Sequence, residues 1–349
     1  MKKSLMTLGV LALFVLMAYG QEKKFALYSV AFYNMENLFD TIHDEGKNDY
    51  EYLPNGTNQW NTMKYKAKLK NMSEILSMLS TDKLPMGPAI IGVSEIENYR
   101  VLEDILKQPA LADRGYQYVH YEGADQRGVD CAFFYNPKLF ELTNSKLVPY
   151  VYINDTVHKT RGFLIASGNI AGEKMHFIVN HWPSRAAASP ARERAGEQVR
   201  AIKDSLLRED SAAKIVIMGD MNDDPMDKSM AVALGAKRKP ADVGPTDLYN
   251  PWWDTLKKGY GTLMYKGKWN LFDQIVFTGN LLGTDRSTLK FYKHEIFRRD
   301  FMFQKEGKYK GYPKRTQAGG VWLNGYSDHL PTIISVSYTH LRAHETRRH

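Results

Sequence analysis

Apolar and polar residues alternate in short runs along this chain, and the runs end repeatedly in a carboxylate, an amide or an imidazole. Period-two alternation rich in Val, Ile, Phe and Tyr predicts strands over Phe25–Tyr33, Ala89–Ser94, Tyr116–Tyr121, Val129–Tyr135, Lys146–Ile153, Arg161–Ile170, Met175–His181, Lys214–Gly219, Leu271–Thr278 and Pro331–Val336. Helical spacing is rarer. Over Met63–Leu79 it sets Leu69, Met72, Ile75, Leu76 and Leu79 on one stripe, with lysines opposite. Tyr99–Lys107 is a shorter run, and Pro190–Leu207 opens with proline in its first turn and is laced with Glu and Arg. Many mixed strands and few helices predict an α+β fold, two sheets packed together with helices outside. Thr41–Trp60 and Arg298–Gly320 follow neither period and predict long loops, the first near the end of the first strand.

The two ends of the chain read differently from the rest. Met1-Lys2-Lys3, the apolar run Leu5–Leu16 and the small residues Ala18 and Gly20 predict a secretory signal peptide over residues 1–20. The run is short for a bilayer span, so no transmembrane segment is expected after cleavage, and the mature protein is expected in the periplasm or secreted. Residues 337–349 turn abruptly rich in His and Arg and read as a non-native tail. No linker or fixed-period repeat interrupts residues 21–336, which read as one domain. The formal charge of +8 draws on both ends. What remains is mildly basic, compatible with an anionic substrate without demanding nucleic acid. The single cysteine, Cys131, excludes an intramolecular disulfide and reads as a small core residue.

The chemistry gathers at strand ends. In Val216-Ile217-Met218-Gly219-Asp220-Met221-Asn222, Asp220 and Asn222 share one face at the carboxyl end of a strand, where open sheets place their sites. Similar ends carry Asn34 and Glu36, Glu95, His181, and Asp328 with His329. Glu36 and Glu95 offer the hard oxygens that Mg²⁺ prefers, although Glu97 shares the alternation of Glu95, and Asn34 is an alternative to Glu36 as the residue facing the metal, with Glu36 a supporting acid behind it. Asp220 suits alignment and deprotonation of a water, or ligation of a metal. Asn222 beside it is an uncharged donor for developing negative charge. Arg161 and Arg185 are forks that suit phosphate oxygens, or plain surface charge. Trp252-Trp253, Tyr260, Tyr265, Trp269 and Trp322 are open to base stacking or lipid contact, but such residues more often pack at a rim or in a core.

The ordered set Tyr33-Asn34-Met35-Glu36-Asn37, Val93-Ser94-Glu95, Val179-Asn180-His181, Gly219-Asp220-Met221-Asn222, Phe272-Asp273-Gln274-Ile275 and Ser327-Asp328-His329-Leu330-Pro331 resembles the endonuclease/exonuclease/phosphatase superfamily. The likeness spans nearly the whole mature chain and is greatest to secreted, deoxyribonuclease-like bacterial members. It implies a four-layer α/β sandwich, two packed mixed β-sheets flanked by helices. It implies Mg²⁺-dependent phosphoester hydrolysis, with Mn²⁺ or Ca²⁺ as alternative ions. By the same resemblance His181, Asp220, Asn222, Asp273 and His329 are catalytic, and Asn34, Arg161 and Arg185 bind substrate. Glu36, Glu95 and Asp328 face the metal, Asp273 holds His329, and Asp130 is a candidate to orient His181.

The leading expectation is a phosphodiesterase acting as a nuclease, an endonuclease on DNA or RNA. Two imidazoles flanking a scissile phosphate suit a diester, whose leaving alkoxide needs a proton. A phosphatase or phospholipase C-type enzyme on phosphorylated lipids or inositol phosphates would share every catalytic residue. A non-catalytic binding module on the same fold is disfavoured, because Asp220, Asn222, Asp273, Asp328 and His329 are all retained.

Overall fold

A computed structural model describes residues 23–153 and 157–341. The predicted signal peptide lies outside the described residues. In chain order the main strands are β1 (Lys23–Leu38), β2 (Ile90–Ile96), β3 (Gln117–His120), β4 (Asp130–Tyr135), β5 (Glu141–Val148), β6 (Phe163–Ile170), β7 (Glu173–His181), β8 (Lys214–Asp220), β9 (Asp273–Thr278), β10 (Lys290–Ile296) and β11 (Thr332–Leu341). The main helices are α1 (Thr62–Met78), α2 (Tyr99–Leu106) and α3 (Ser189–Glu209). One six-stranded sheet runs β10-β11-β1-β2-β4-β3. A seven-stranded sheet runs β5-β6-β7-β8-β9 and ends in two short strands, Leu248–Tyr249 and Ala236–Lys237.

Alternation along each strand builds the layers. Val30 and Phe32 of β1 join a core between the sheets with Phe133, Phe177, Val216, Met218 and Ile275. Their neighbours Ala31, Tyr33 and Met35 join a second core with Leu69, Met72 and Ile75 of α1 and Val101 and Ile105 of α2. On the other sheet Ile165, Ile178, Ile215 and Ile217 pack with Ala195 and Val199 of α3. The result is the expected four-layer sandwich: helices, sheet, sheet, helix. Cys131 is buried in the central core, as its sequence context predicted.

Three boundaries differ from expectation. Strand β5 covers Glu141–Val148 rather than Lys146–Ile153, and β10 was not anticipated at all. Both are edge strands whose residues are only partly buried, so neither carries a clean alternation. Strand β11 runs on past Val336, with Ser337 paired to Leu27 and Leu341 to Lys23. Ser337–Leu341 therefore continue a sheet element.

The layering aims the chemistry. Asn34 continues the Val30–Phe32 face of β1, His181 the Phe177–Val179 face of β7, and Asp220 the Val216–Met218 face of β8. All three faces belong to the central core. Parallel pairing sets His181 opposite Asp220, and antiparallel pairing sets Asp273 opposite Asp220 on the other side. Three strands thus present an imidazole and two carboxylates in one row at one rim of the sandwich.

Candidate active site

Asp220 is the hub of this rim. Its Oδ2 accepts a hydrogen bond from Asn34 Nδ2 at 3.0 Å, and the same amide donates to Glu95 Oε1 at 3.0 Å. Asp220 Oδ1 accepts from the Asn222 backbone N–H at 2.9 Å. His181 Nε2 lies 3.7 Å from both Glu95 Oε1 and Asp220 Oδ2. His329 Nε2 lies 3.8 Å from Asp220 Oδ2, and its Nδ1 is held by Asp273 Oδ2 at 2.7 Å. Ser327 fixes this last segment by donating to the Asn34 carbonyl at 2.8 Å and accepting the His329 N–H at 3.1 Å.

The two imidazoles titrate in opposite directions. Burial and the nearby Arg161 and Arg127 guanidinium groups hold His181 well below the ordinary histidine value. Burial works the same way on His329, but Asp273 and Asp220 overcome it and hold that ring well above the ordinary value. His181 Nδ1 is buried without a hydrogen-bond partner. A proton there would be stranded, so the favoured neutral tautomer carries its proton on Nε2, facing Asp220. Burial raises the Asp220 carboxyl, and Asp273 and Glu95 add to the rise against the pull of His329.

The candidate metal site is built from the same atoms. Ligand atoms of Glu95, His181 and Asp220 lie within 4.8 Å of one another, as do those of Asp220, Asp273 and His329. Among the described residues no lysine or arginine pairs with Glu95, Asp220 or Asp273. Asp220 and Asp273 are buried and Glu95 is mostly so. Such crowded, uncompensated oxygens fit a hard divalent cation. Backbone geometry marks the same place. Glu36, Asn37, Glu95 and Asn222 all lie in the left-handed region, with φ of 46°, 51°, 58° and 53°. Strand pairing shifts register at Asn34/Leu38 and Ser94/Ile96, so bulges turn these side chains toward the rim.

Beside it stands a second constellation. Glu36 Oε1 accepts from Arg315 Nε at 3.0 Å, and Glu36 Oε2 accepts from the Thr316 N–H at 2.7 Å. Arg315 Nη2 donates to Asp328 Oδ2 at 2.6 Å. Lys68 Nζ lies 3.9 Å from Glu36 and donates to the Thr316 hydroxyl and to the Tyr326 carbonyl. Glu36 and Asp328 thus share an arginine and stand outside both candidate metal groups.

The remaining predicted residues go elsewhere. Arg161 is buried, donating to Asp125 Oδ2 at 3.1 Å and to the Trp182 carbonyl at 2.8 Å, so it props the segment after His181. Arg185 is tied to Asp223, Asp224 and Asp227 and lies 4.5 Å from the Phe272 ring centre. Asp130 binds His120 Nε2 at 3.2 Å and the Gly123 N–H at 3.0 Å, not His181, which corrects its expected role. Glu97 accepts the Asp40 N–H at 2.7 Å, leaving the metal cluster to Glu95. Asn222 Nδ2 donates to the Trp182 carbonyl at 3.0 Å, leaving its second proton for a ligand.

Sequence reading did not find Arg315 or Lys68. Arg315 lies in a segment without period, and only contact shows its role. Lys68 did leave a signal. It falls three residues after Tyr65 and four before Met72, both buried, and it is itself fully buried rather than on the polar face.

A sandwich whose two sheets meet at a rim of carboxylates, amides and imidazoles defines a hydrolase of phosphoesters. The family model described as "Endonuclease/Exonuclease/phosphatase family" matches residues 29–338, and the chain belongs to that family. An endonuclease/exonuclease/phosphatase family protein from Bacteroides thetaiotaomicron shares the fold at a TM-score of 0.57 and 15% identity, over 93% of this chain and 100% of that one. A mannosyl-6-phosphatase from the same organism gives 0.55 and 14%, over 88% and 99%. TDP2 of D. rerio, complexed with single-strand DNA product, gives 0.52 and 15%, over 89% and 99%. No curated protein matches the chain in sequence. Among the described residues no helix is long and apolar enough to cross a membrane.

Proposed function

We propose that this protein is a divalent-metal-dependent phosphodiesterase of the periplasm or the extracellular space, a nuclease acting on DNA or RNA. The observation that carries the reading is the pair of imidazoles held at 3.7 and 3.8 Å from one carboxylate oxygen, one kept neutral and the other kept charged. A diester needs a base for the attacking water and a proton near the leaving alkoxide. Asp220 is the base, aligned by Asn34 and by the Asn222 N–H. His329, charged through Asp273, holds a proton at Nε2 for the phosphate. Asn222 Nδ2 and His181 Nε2 donate to phosphoryl oxygens without adding negative charge. Glu95 would hold the cation beside Asp220, with Mg²⁺ the ion that suits an oxygen set and Mn²⁺ or Ca²⁺ the alternatives. A cation bound there would supply positive charge to offset the negative charge of the phosphate.

The test is hydrolysis of bis(p-nitrophenyl) phosphate and nicking of plasmid DNA, each with Mg²⁺ and with EDTA. Metal-dependent turnover of both is the expected result, and release of phosphate from monoesters with the plasmid intact would overturn the nuclease assignment. A second reading, a phosphatase on phosphorylated sugars or inositols, has one observation in its favour. A cavity of about 180 Å³ opens beside Glu36, lined by Asn37, Glu51, Tyr52, Asn58 and Gln317, which suit the hydroxyls of a ring. The mannosyl-6-phosphatase shares this fold.

A further inference from the structure

The short hairpin formed by Leu263–Tyr265 and Lys268–Asn270 is anchored to the catalytic segment. Leu263 bridges His329, and the Leu330 N–H donates to the Thr262 carbonyl at 2.9 Å. Two residues further on, about 7 Å along the strand, Tyr265 stands 62% exposed at the hairpin tip. A second loop, closed by a bridge between Phe303 and Pro313, lies against the first. The Gly267 N–H donates to the Tyr312 hydroxyl at 2.6 Å, which ties the two tips together. Tyr309 on this loop is 53% exposed.

Beneath the tips the packing is firm. The Arg298 guanidinium lies 4.8 Å from the Trp269 ring centre, 4.9 Å from Phe303 and 5.6 Å from Tyr260. Of the aromatic residues left open by the sequence, Trp269 is spent on this packing, whereas Tyr260 and Tyr265 face solvent. The surface is also one-sided in charge. Lys266, Lys268, Lys305, Lys308 and Lys310 are exposed, and Glu306 is the lone acid in residues 260–270 and 303–314. None of these lysines pairs with a carboxylate among the described residues.

We infer that these two tips form a track for a single-stranded stretch of nucleic acid leading to the His329 side of the rim. Exposed tyrosines flanked by lysines without carboxylate partners, Lys266 at 5.3 Å from the Tyr265 ring centre and Lys308 at 5.6 Å from that of Tyr309, give base faces something to stack on and phosphates something to pair with. Stacking of this kind requires unpaired bases, which sets the strand requirement apart from plain attraction to a polyanion. The track rests on the nuclease reading of the rim, deepens it, and fails separately from it.

The experiment compares the full chain with Tyr265→Ala/Tyr309→Ala and with Lys266→Gln/Lys308→Gln. Binding of a fluorescent dodecathymidylate is followed by anisotropy in EDTA, and bis(p-nitrophenyl) phosphate turnover is followed with Mg²⁺. The tyrosine pair is expected to weaken oligomer binding about tenfold or more. The lysine pair is expected to reduce the slope of log affinity against log salt by about 1.4. Turnover of the small diester stays at the wild-type level in both. Oligomer binding unchanged in the tyrosine variant overturns the track, and so does equal loss of small-diester turnover. Preference of the wild type for phosphatidylglycerol vesicles over the oligomer overturns it as well. Tyrosine-dependent binding without any cleavage under Mg²⁺ leaves the track standing and removes the nuclease reading. Cleavage with variants that bind like wild type does the reverse.

Discussion

Two groups of buried acids sit side by side at this rim, and they are balanced in opposite ways. Glu36 and Asp328 are met by Arg315, and Glu36 by Lys68 and a backbone N–H as well. Glu95, Asp220 and Asp273 are met only by an amide and two imidazoles. The first group joins β1 to the Arg315–Asp328 segment and to α1, and burial and Asp328 still push the Glu36 carboxyl up to about 7 against its cations. The second leaves negative charge unanswered in a place where desolvation makes it costly. Sequence already ranks Glu36 below Glu95, since Asn34 two residues before it can face the metal and leave Glu36 as a supporting acid. The difference is that a lysine and an arginine reach Glu36, whereas neither reaches Glu95 among the described residues.

The comparison breaks hardest at Asp220. Asp220→Asn is expected to lower bis(p-nitrophenyl) phosphate turnover by about 10²–10⁴-fold, the range for loss of a positioned base. Removing a buried charge that only His329 offsets should leave the urea midpoint unchanged or higher. The companion change, Lys68→Met, is expected to act the other way. It strips a cation from a buried carboxylate and should cost about 3–5 kcal/mol of stability by urea denaturation. Addition of Mg²⁺ at about a hundred times its Kd should stabilise the wild type by about 2.7 kcal/mol, read as a rise in the urea midpoint. Glu95→Gln should need more Mg²⁺ for the same rise, whereas Arg185→Ala should titrate like wild type.

The smallest effect concerns a histidine without a carboxylate on its ring. His176 is buried with its Nδ1 at 2.7 Å from the Ser167 hydroxyl, and burial lowers its pKa, where Asp273 raises that of His329. Its folded value lies below its unfolded value, so its contribution is full above about pH 6.5 and is lost as the pH falls toward the folded value. Urea titrations between pH 7.5 and 5 should show at most about 1.4 kcal/mol lost per pH unit from this group. His176→Gln should remove that part of the slope.

The four layers were legible because the strands that build them alternate strictly. Val30, Phe32, Val216 and Met218 could only meet across two sheets. Most of the rim was legible for the same reason: Asn34, His181, Asp220 and Asp273 extend those alternations by one step. What could not be read was anything that depends on where a loop returns. Arg315 is 279 residues from Glu36 in the chain, and no local pattern announces the contact. Asp130 sits at the end of β4 within apparent reach of the site, yet β3 brings His120 to it first. Edge strands β5 and β10 face solvent along much of their length, so their hydrophobic signal is weak where the pairing is real.

The left-handed backbone at Glu95 and Asn222 has a consequence for anyone who would make this protein hardier. Each such position in a residue other than glycine holds on the order of 1–3 kcal/mol in reserve. A screen for heat-tolerant variants would therefore be drawn to glycine at these positions. The survivors would be durable and inert, because the glycine that relieves the torsion also deletes the working side chain that the torsion turns toward the rim.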